Sequence, residues 1–512
     1  MTNGGPAADD QPAPTEPVAD DHPAATEPLA DDQPAPIEPA PIWPALAGEA
    51  GTAGEAGTAG EAGTAGEAGT AGEAGTAAVT TDPVPARRRR WPLWAALVAV
   101  VLVLTAGVPA VLLTGALRNA DGGKPATAAS PTENPTTLAA RQVAERITAQ
   151  LDKQATALLD GDRSGFVAVA APAVRTELRR RFDALRALRV THWQGRPSGL
   201  PTSAGRAGEW RLPVEFQFCF VVPDCQPSPM IVETRWRDGA EPRLLALAKS
   251  KSSPYVNGRF NGQPGVLPWE VSDLAVKVGK RVVVASTPAH RDRLPALLKR
   301  AEAAAKVADA YVVAGAPPDR YRIFYAGPKE WARWYGGDQP EWGAGYAVNV
   351  GGGHHEVVLA PETLGYGPAL DELLRHELAH AASLPDNSYW DDSAWWLIEG
   401  LAEHAGADGQ SVTRYEGLVP TRRLVKGDWN GKLDNLMPAD DASDDQVTAR
   451  YGIAYLAFRH LVDRFGEERA YAFFKAVVHD LRLPAQTSEE IFGESWAKLR
   501  KECVASIRAA VR

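Results

Sequence analysis

The stretch DELLRHELAHAASL, Asp371 to Leu384, sets His376, Glu377 and His380 within five residues of an otherwise apolar helical period. Four residues apart on a helix, His376 and His380 project from one face and converge on one ion. Glu377 is rotated by about 100° from His376, near enough to reach a metal-bound water without ligating the metal. Pro368 suits a first helical position, Asp371 and Glu372 fall in the first turn, where the helix dipole favours anions, and Ser383-Leu384-Pro385 stops the helix. A catalytic zinc takes three protein ligands and keeps one position open, so a third ligand must come from elsewhere in the chain.

That ligand is offered by DDSAWWLIEGLAEH, Asp391 to His404, a second amphipathic helix carrying Glu399 and Glu403. Eighteen residues separate His380 from Glu399. His-Glu-x-x-His followed at this spacing by Trp396-Leu397-Ile398-Glu399-Gly400-Leu401-Ala402 resembles the gluzincin metallopeptidases, of the peptidase MA-like branch, and is similar to the aminopeptidase N-type catalytic domain. The resemblance covers about Val271 to Arg512, with strong motifs from His376 to Ala402. It implies Zn2+ held by His376, His380 and Glu399, with Glu377 taking the proton of the attacking water and passing it to the leaving amine. Glu403, one turn past Glu399, reads equally as a carboxylate that orients a ligating imidazole and as a solvated surface group. His404 reads as a helix-face residue, since three ligands are already present.

Further on, RYGIAYLAFRHLVDRFGEERAYAFF (Arg450 to Phe474) resembles the helix in which such enzymes carry a tyrosine that donates to the oxyanion, and the spacing points to Tyr451. The residues alone describe Tyr451 and Tyr455 equally well as core aromatics four apart. One departure stands out. The aminopeptidases have a Gly-Ala-Met-Glu-Asn-like strand whose Glu binds the free amine, whereas GGGHHEVVLAP (Gly351 to Pro361) offers Glu356 without that motif. Exopeptidase activity is therefore not implied, and Val357 to Leu359 is the expected backbone edge for an extended peptide. His354 and His355 read as the polar end of a strand beside a glycine-rich turn.

Outside this region, composition sets the organisation. Residues 1 to 86 contain fifteen Asp and Glu and no Lys or Arg, among Ala, Pro, Gly and tandem GEAGTA repeats. Such a segment has too little apolar area to offset its ordering entropy and is expected to be a disordered acidic tail. The net charge of −10 belongs to that tail: the remaining chain has 54 basic against 49 acidic residues, so nothing in it argues for nucleic acid. Arg87 to Arg90 then precede an uncharged run, Trp91 to Leu117. As a helix that run is about 40 Å long, enough to cross a bilayer. We expect a single transmembrane helix within residues 87 to 117, with the lipid bilayer contacted by residues 91 to 117. The arginines place the N-terminus in the cytoplasm and the large C-terminal part outside the cell.

A linker spans residues 118 to 137. From 138 to 265 the pattern is a helix with Leu138, Val143, Ile147, Leu151, Ala155, Leu158 and Leu159 on one face, a second helix near Val174 to Leu188, and alternating strand runs beginning at Glu209. This predicts a small α+β domain, and ALLDGDRSGFVAVAAP (Ala157 to Pro172) resembles the opening of the cone-shaped domains similar to nuclear transport factor 2. Cys219 and Cys225, six apart across a Pro-Asp turn, suit a disulfide in an oxidising compartment or, alternatively, two buried thiols; Cys503 reads as core. Residues 271 to 512 read as a mixed sheet capped by helices and followed by a helical lobe, with the opening motif between them. The fold class is α+β. The function expected is a membrane-anchored zinc metallopeptidase acting on a peptide or protein substrate; the rival is a surface sensor in which the peptidase-like part is silent.

Overall fold

A computed structural model describes residues 134–250, 255–256, 259–260, 265–337, 339–386 and 392–512. The expected acidic tail, the Arg87–Arg90 run and the membrane span at 91–117 lie outside these residues. Among the described residues no helix is long and apolar enough to cross a membrane.

The chain begins with α1 (Pro135–Asp160), α2 (Arg163–Ala168) and α3 (Arg175–Ala187), followed by β1 (Val190–Pro197), β2 (Thr202–Ser203), β3 (Glu209–Phe220), β4 (Ser228–Arg237) and β5 (Arg243–Leu247). The strands form an antiparallel sheet in the order β1-β3-β4-β5, with β2 on β3. Asn134 caps α1 through Thr136 N, and Gly161 ends it in the left-handed region that glycine tolerates. Val143, Ile147, Leu151 and Leu158 bury the apolar stripe of α1. Leu138 and Leu159, expected on that stripe, are 45% and 38% exposed, in the first and last turns of the helix. Strand β1 was not expected: VTHWQGRP has too few alternating apolar residues, and its pairing with β3 rather than its own composition makes it a strand. Cys219 and Cys225 form the disulfide, with Cα atoms 6.0 Å apart, and Cys503 is a buried free thiol, as expected.

After the short strands β6 (Tyr255–Val256) and β7 (Arg259–Phe260) and the single turn α4 (Pro268–Val271) come β8 (Ala275–Val278), β9 (Val282–Ser286), α5 (Leu294–Ala308), β10 (Tyr321–Tyr325), α6 (Pro328–Trp331), β11 (Gly345–Gly351) and β12 (His354–Leu359). The stretch VKVGKRVVVAS forms the hairpin β8–β9 turned at Gly279. The second sheet runs β7-β6-β11-β12-β10-β9-β8 and is mixed, with β10 parallel to both β9 and β12. Strand β12 lies between β10 and β11, so Val357–Leu359 has both edges paired and is not the free edge expected for a peptide.

Helices complete the chain: α7 (Ala369–Ser383), α8 (Trp395–Ala407), α9 (Leu418–Lys426), α10 (Asp444–Phe465), α11 (Glu467–Phe474), α12 (Pro484–Phe492) and α13 (Trp496–Ala510). Residues of opposite parity on β9 and β10 enter different cores. Val283, Ala285 and Phe324 pack with the first sheet and its helices, and Val282, Val284, Tyr321 and Ile323 pack against α5 and α7. Buried on both faces, these strands are apolar except for Ser286 and for Arg322, which pairs with the buried Glu356. Helix α7 is largely buried, contributing Leu370, Leu373, Leu374 and Leu378 to the sheet side and Ala379 to the helical lobe, with Asp371, Glu372 and Arg375 only partly covered.

The two halves share one core. Trp269 of α4, 0% exposed, lies edge-on to Trp193 and Phe218 of the first sheet. Beside it the fully buried Glu270 accepts from Ser250 N and Leu267 N and pairs with Arg181 at 3.2 Å. A buried carboxylate needs this many donors to repay its lost hydration. At the other contact, the disulfide loop of the first sheet meets the β11–β12 turn. There Gly351 and Gly352 have φ of +73° and +66°, and a Cβ on them would lie 2.6 Å from Pro229 Cδ and Gln226 O respectively.

Candidate metal centre

Helix α7 runs between the second sheet and α8, which brings its polar residues up to the facing helix. Gly400 allows the helices of the lobe to close in: a Cβ there would lie 2.5 Å from Ala454 O and 2.8 Å from Phe458 Cβ of α10. Arg375 of α7 donates to Gly406 O at 2.9 and 2.6 Å, fixing the end of α8 against α7.

Between these helices three donor atoms form a triangle. His376 Nε2 and His380 Nε2 are 3.1 Å apart, and Glu399 Oε2 lies 3.3 Å and 3.2 Å from them. All three residues are at least 95% buried. Zinc at 2.0–2.1 Å from tetrahedral N and O ligands spaces those ligands about 3.3 Å apart, so the triangle fits that ion with its fourth face left open.

The surroundings decide what the neighbouring groups do. Glu403 Oε1 is 3.1 Å from His376 Nδ1, and Glu403 Oε2 accepts from the Tyr415 hydroxyl at 2.7 Å. A proton on Nδ1 held by Glu403 leaves the Nε2 lone pair for a metal. Of the two roles open for Glu403, orientation of an imidazole is the one its geometry performs. Tyr415 carried no signal in the sequence, standing in a loop twelve residues beyond Glu403.

Electrostatics point the same way. Burial pushes the Glu377 carboxyl above its usual range, while the two imidazoles pull against it. Burial would raise Glu399 as well, but His380 and His376 hold it down to about 2. Burial would lower His376, yet Glu399 and Glu403 raise it well above the ordinary imidazole range. Three buried carboxylates around two imidazoles demand positive charge, which a divalent cation supplies directly.

Glu377 is 3% exposed, and its Oε2 has no hydrogen-bond partner. Gly345, the first residue of β11, lies against it: a Cβ there would be 2.8 Å from Glu377 Oε1. The backbone of β11 thus lies directly against the Glu377 carboxylate. Tyr451 of α10 is 5% exposed, with its ring 6.1 Å from that of His376 and packed edge-on against Trp395 at 5.0 Å. It lies beside the triangle, whereas Tyr455 is turned to Tyr415 and Arg459.

The remaining histidines and Glu356 are elsewhere. Glu356 is fully buried, 3.3 Å from Arg322 Nη1 and hydrogen-bonded by the Tyr335 hydroxyl, an internal ion pair with no access to an amine. His404 Nδ1 is 3.1 Å from the Tyr311 hydroxyl, on the helix face away from the triangle. His354 and His355 open β12 beside the Gly351–Gly353 turn, as expected, but are buried there at 3% and 5% exposure. His354 meets Asp319 at 2.9 Å and lies near Cys225, but that sulfur is bound to Cys219 and offers no thiolate.

No family model matches the sequence, and no curated protein matches it. Among solved structures, the chain is similar to native yeast LTA4 hydrolase at 14% identity and a TM-score of 0.31, over 59% of this chain and 65% of that one. It is similar to yeast LTA4 hydrolase in complex with bestatin at 17% identity and a TM-score of 0.29, over 46% and 38%. The chain thus spans less than two thirds of either neighbour, and a likeness this distant carries no chemistry over to it. The case for chemistry rests on the triangle, its buried carboxylates and the unpartnered oxygen of Glu377.

Proposed function

We propose that this protein is a zinc-dependent metallopeptidase, anchored in a membrane with its catalytic part outside the cell. The observation that carries the reading is the His376–His380–Glu399 triangle, with side lengths of 3.1 to 3.3 Å, beside the buried carboxylate of Glu377. A purely structural zinc site closes all four positions with protein and has no use for a neighbouring base.

Zinc held by His376, His380 and Glu399 would supply Lewis acidity, polarising a carbonyl and making water acidic enough to ionise near neutral pH. Glu377 accepts the proton of the attacking water at its unpartnered oxygen and delivers it to the departing amine. The Tyr451 hydroxyl donates to the oxyanion that forms on the former carbonyl oxygen, where a preorganised donor acts on charge present only in the transition state. Glu403 and Tyr415 hold His376 in the ligating tautomer. The edge of β11 near Gly345 aligns an extended peptide, in place of the β12 edge.

The anchor is supported by the uncharged run from Trp91 to Leu117 behind four arginines, and the oxidising side by the Cys219–Cys225 disulfide. The sensor reading has less support. A silent, purely structural site would have no use for the buried Glu377 carboxylate beside the triangle, whose Oε2 has no hydrogen-bond partner.

The test is metal analysis of the full chain in detergent beside hydrolysis of a broad peptide library by wild type and Glu377→Gln. We expect one zinc per chain in both and hydrolysis by wild type alone. Stoichiometric zinc with both proteins inert would transfer the support to the sensor reading. Absence of zinc would remove both.

A further inference from the structure

The first domain carries an open cleft of about 550 Å3 on the side of α2 and α3, lined by Arg163, Arg175, Arg179, Arg243, Ser164 and Val167. Four guanidiniums at one cleft repel one another, and carboxylate partners offset only two of the four charges. Arg175 Nε donates to Ala170 O at 3.1 Å, and Arg243 Nη1 donates to Ala168 O. Neutral carbonyls orient these groups but leave the charge in place. Arg163 pairs with Asp183, and Arg243 lies 3.7 Å from Glu241; among the described residues no carboxylate pairs with Arg175 or Arg179. The cleft therefore holds guanidiniums that are partly fixed and have donors to spare.

The wider charge distribution has the same sense. Residues 138 to 250 contain seventeen Lys and Arg against twelve Asp and Glu, whereas residues 251 to 512 contain thirty-one against thirty-five. The positive excess of the folded part is thus confined to the domain nearest the apolar run. From Leu117 to Asn134 the chain is seventeen residues long, a reach of at most about 60 Å fully extended. A planar guanidinium binds phosphate oxygens in bidentate fashion, and a bilayer within that reach presents phosphates at high effective concentration.

We propose that the cleft binds the phosphate of an anionic phospholipid headgroup, docking the first domain on the membrane and setting the orientation of the metal centre above it. This docking rests on the membrane anchor proposed above and not on peptidase activity. It is tested with the full chain in nanodiscs of phosphatidylcholine, alone or mixed with phosphatidylglycerol, by following hydrogen exchange across residues 163–179 and 241–245. We expect slower exchange with phosphatidylglycerol, reversed by high salt, abolished in Arg175→Gln/Arg179→Gln and unchanged in Glu377→Gln. Two lost bidentate contacts correspond to at least about tenfold weaker binding. An unchanged melting temperature certifies the fold of the double variant, and Arg179→Gln alone, a change on an exposed side chain, is the second variant. Equal exchange in both lipids, or protection that survives both variants, overturns the site. Protection by inorganic phosphate with none from phosphatidylglycerol overturns the lipid as its source.

Discussion

Gly345→Ala separates the positioning of Glu377 from the metal it serves. The new Cβ would lie 2.8 Å from Glu377 Oε1, 3.1 Å from Cδ and 3.2 Å from Cγ, with nothing but Glu377 among its nearest contacts. Reaching the 3.4 Å of an ordinary contact requires the carboxylate to retreat by about 0.6 Å. Glu377 is 3% exposed and enclosed by α7, the sheet and α8, so the retreat moves the base away from where a water would sit. Misplacement of a reacting group by about 1 Å lowers rates by roughly 100-fold, so kcat should fall by about 10- to 100-fold. His376, His380 and Glu399 are not touched, so zinc content should be unchanged. The strand tolerates alanine, since the residue needs no left-handed backbone, and the melting temperature should shift little. The assay is peptide hydrolysis with zinc analysis on the same samples, with Glu377→Gln as the floor. A Gly345→Ala protein that loads zinc and retains more than half of the wild-type kcat would refute the claim that β11 sets the position of the base.

Other expectations follow from the same geometry. Glu403→Gln should weaken zinc binding by about 10- to 100-fold and Tyr415→Phe by less, measured by competition with a chromophoric chelator; equal affinity in all three proteins would remove the orienting role. Glu270→Ala should destabilise the fold by about 3–5 kcal/mol, because it leaves Arg181 buried without its inter-domain partner, and denaturant unfolding reads this directly. Reduction of Cys219–Cys225, which closes a short loop, should lower stability by about 2 kcal/mol, seen as a lower unfolding midpoint under a dithiol. Burial lowers His355 to about 3 and His404 to about 4. Both are neutral when folded and take up a proton on unfolding below pH 6.5, so the unfolded state binds more protons there and stability drops as the solution is made more acidic. Each contributes about 1.4 kcal/mol per pH unit between about pH 6 and 4, and His404→Gln should remove one such share from the acid slope.

Much of the centre could be read from local spacing. A separation of four on a helix forces His376 and His380 onto one face whatever the tertiary structure, and the charge pattern of residues 1 to 90 needs no fold to be recognised. Pairing across distance was not readable in this way. Strand β1 exists because β3 lies beside it, and the misplaced peptide edge at Val357–Leu359 followed from reading a strand without knowing that β10 and β11 flank it. Glu403 was ambiguous as a residue and became unambiguous once His376 Nδ1 lay 3.1 Å from it. Glu356, a carboxylate in a suggestive place, proved to be the partner of Arg322.

By itself the sequence determined the helix that presents His376, Glu377 and His380, the Glu399 helix eighteen residues on, and the division into acidic tail, apolar run and folded remainder. These follow from periodicity and composition, which act within a few turns of chain. Only the tertiary structure decided that Gly345 abuts the base, that Tyr415 backs Glu403, and that Trp269 and Glu270 weld the two halves into one core. Those facts depend on contacts between residues 12 to 89 positions apart, whose partners are chosen by burial and shape complementarity over the whole chain.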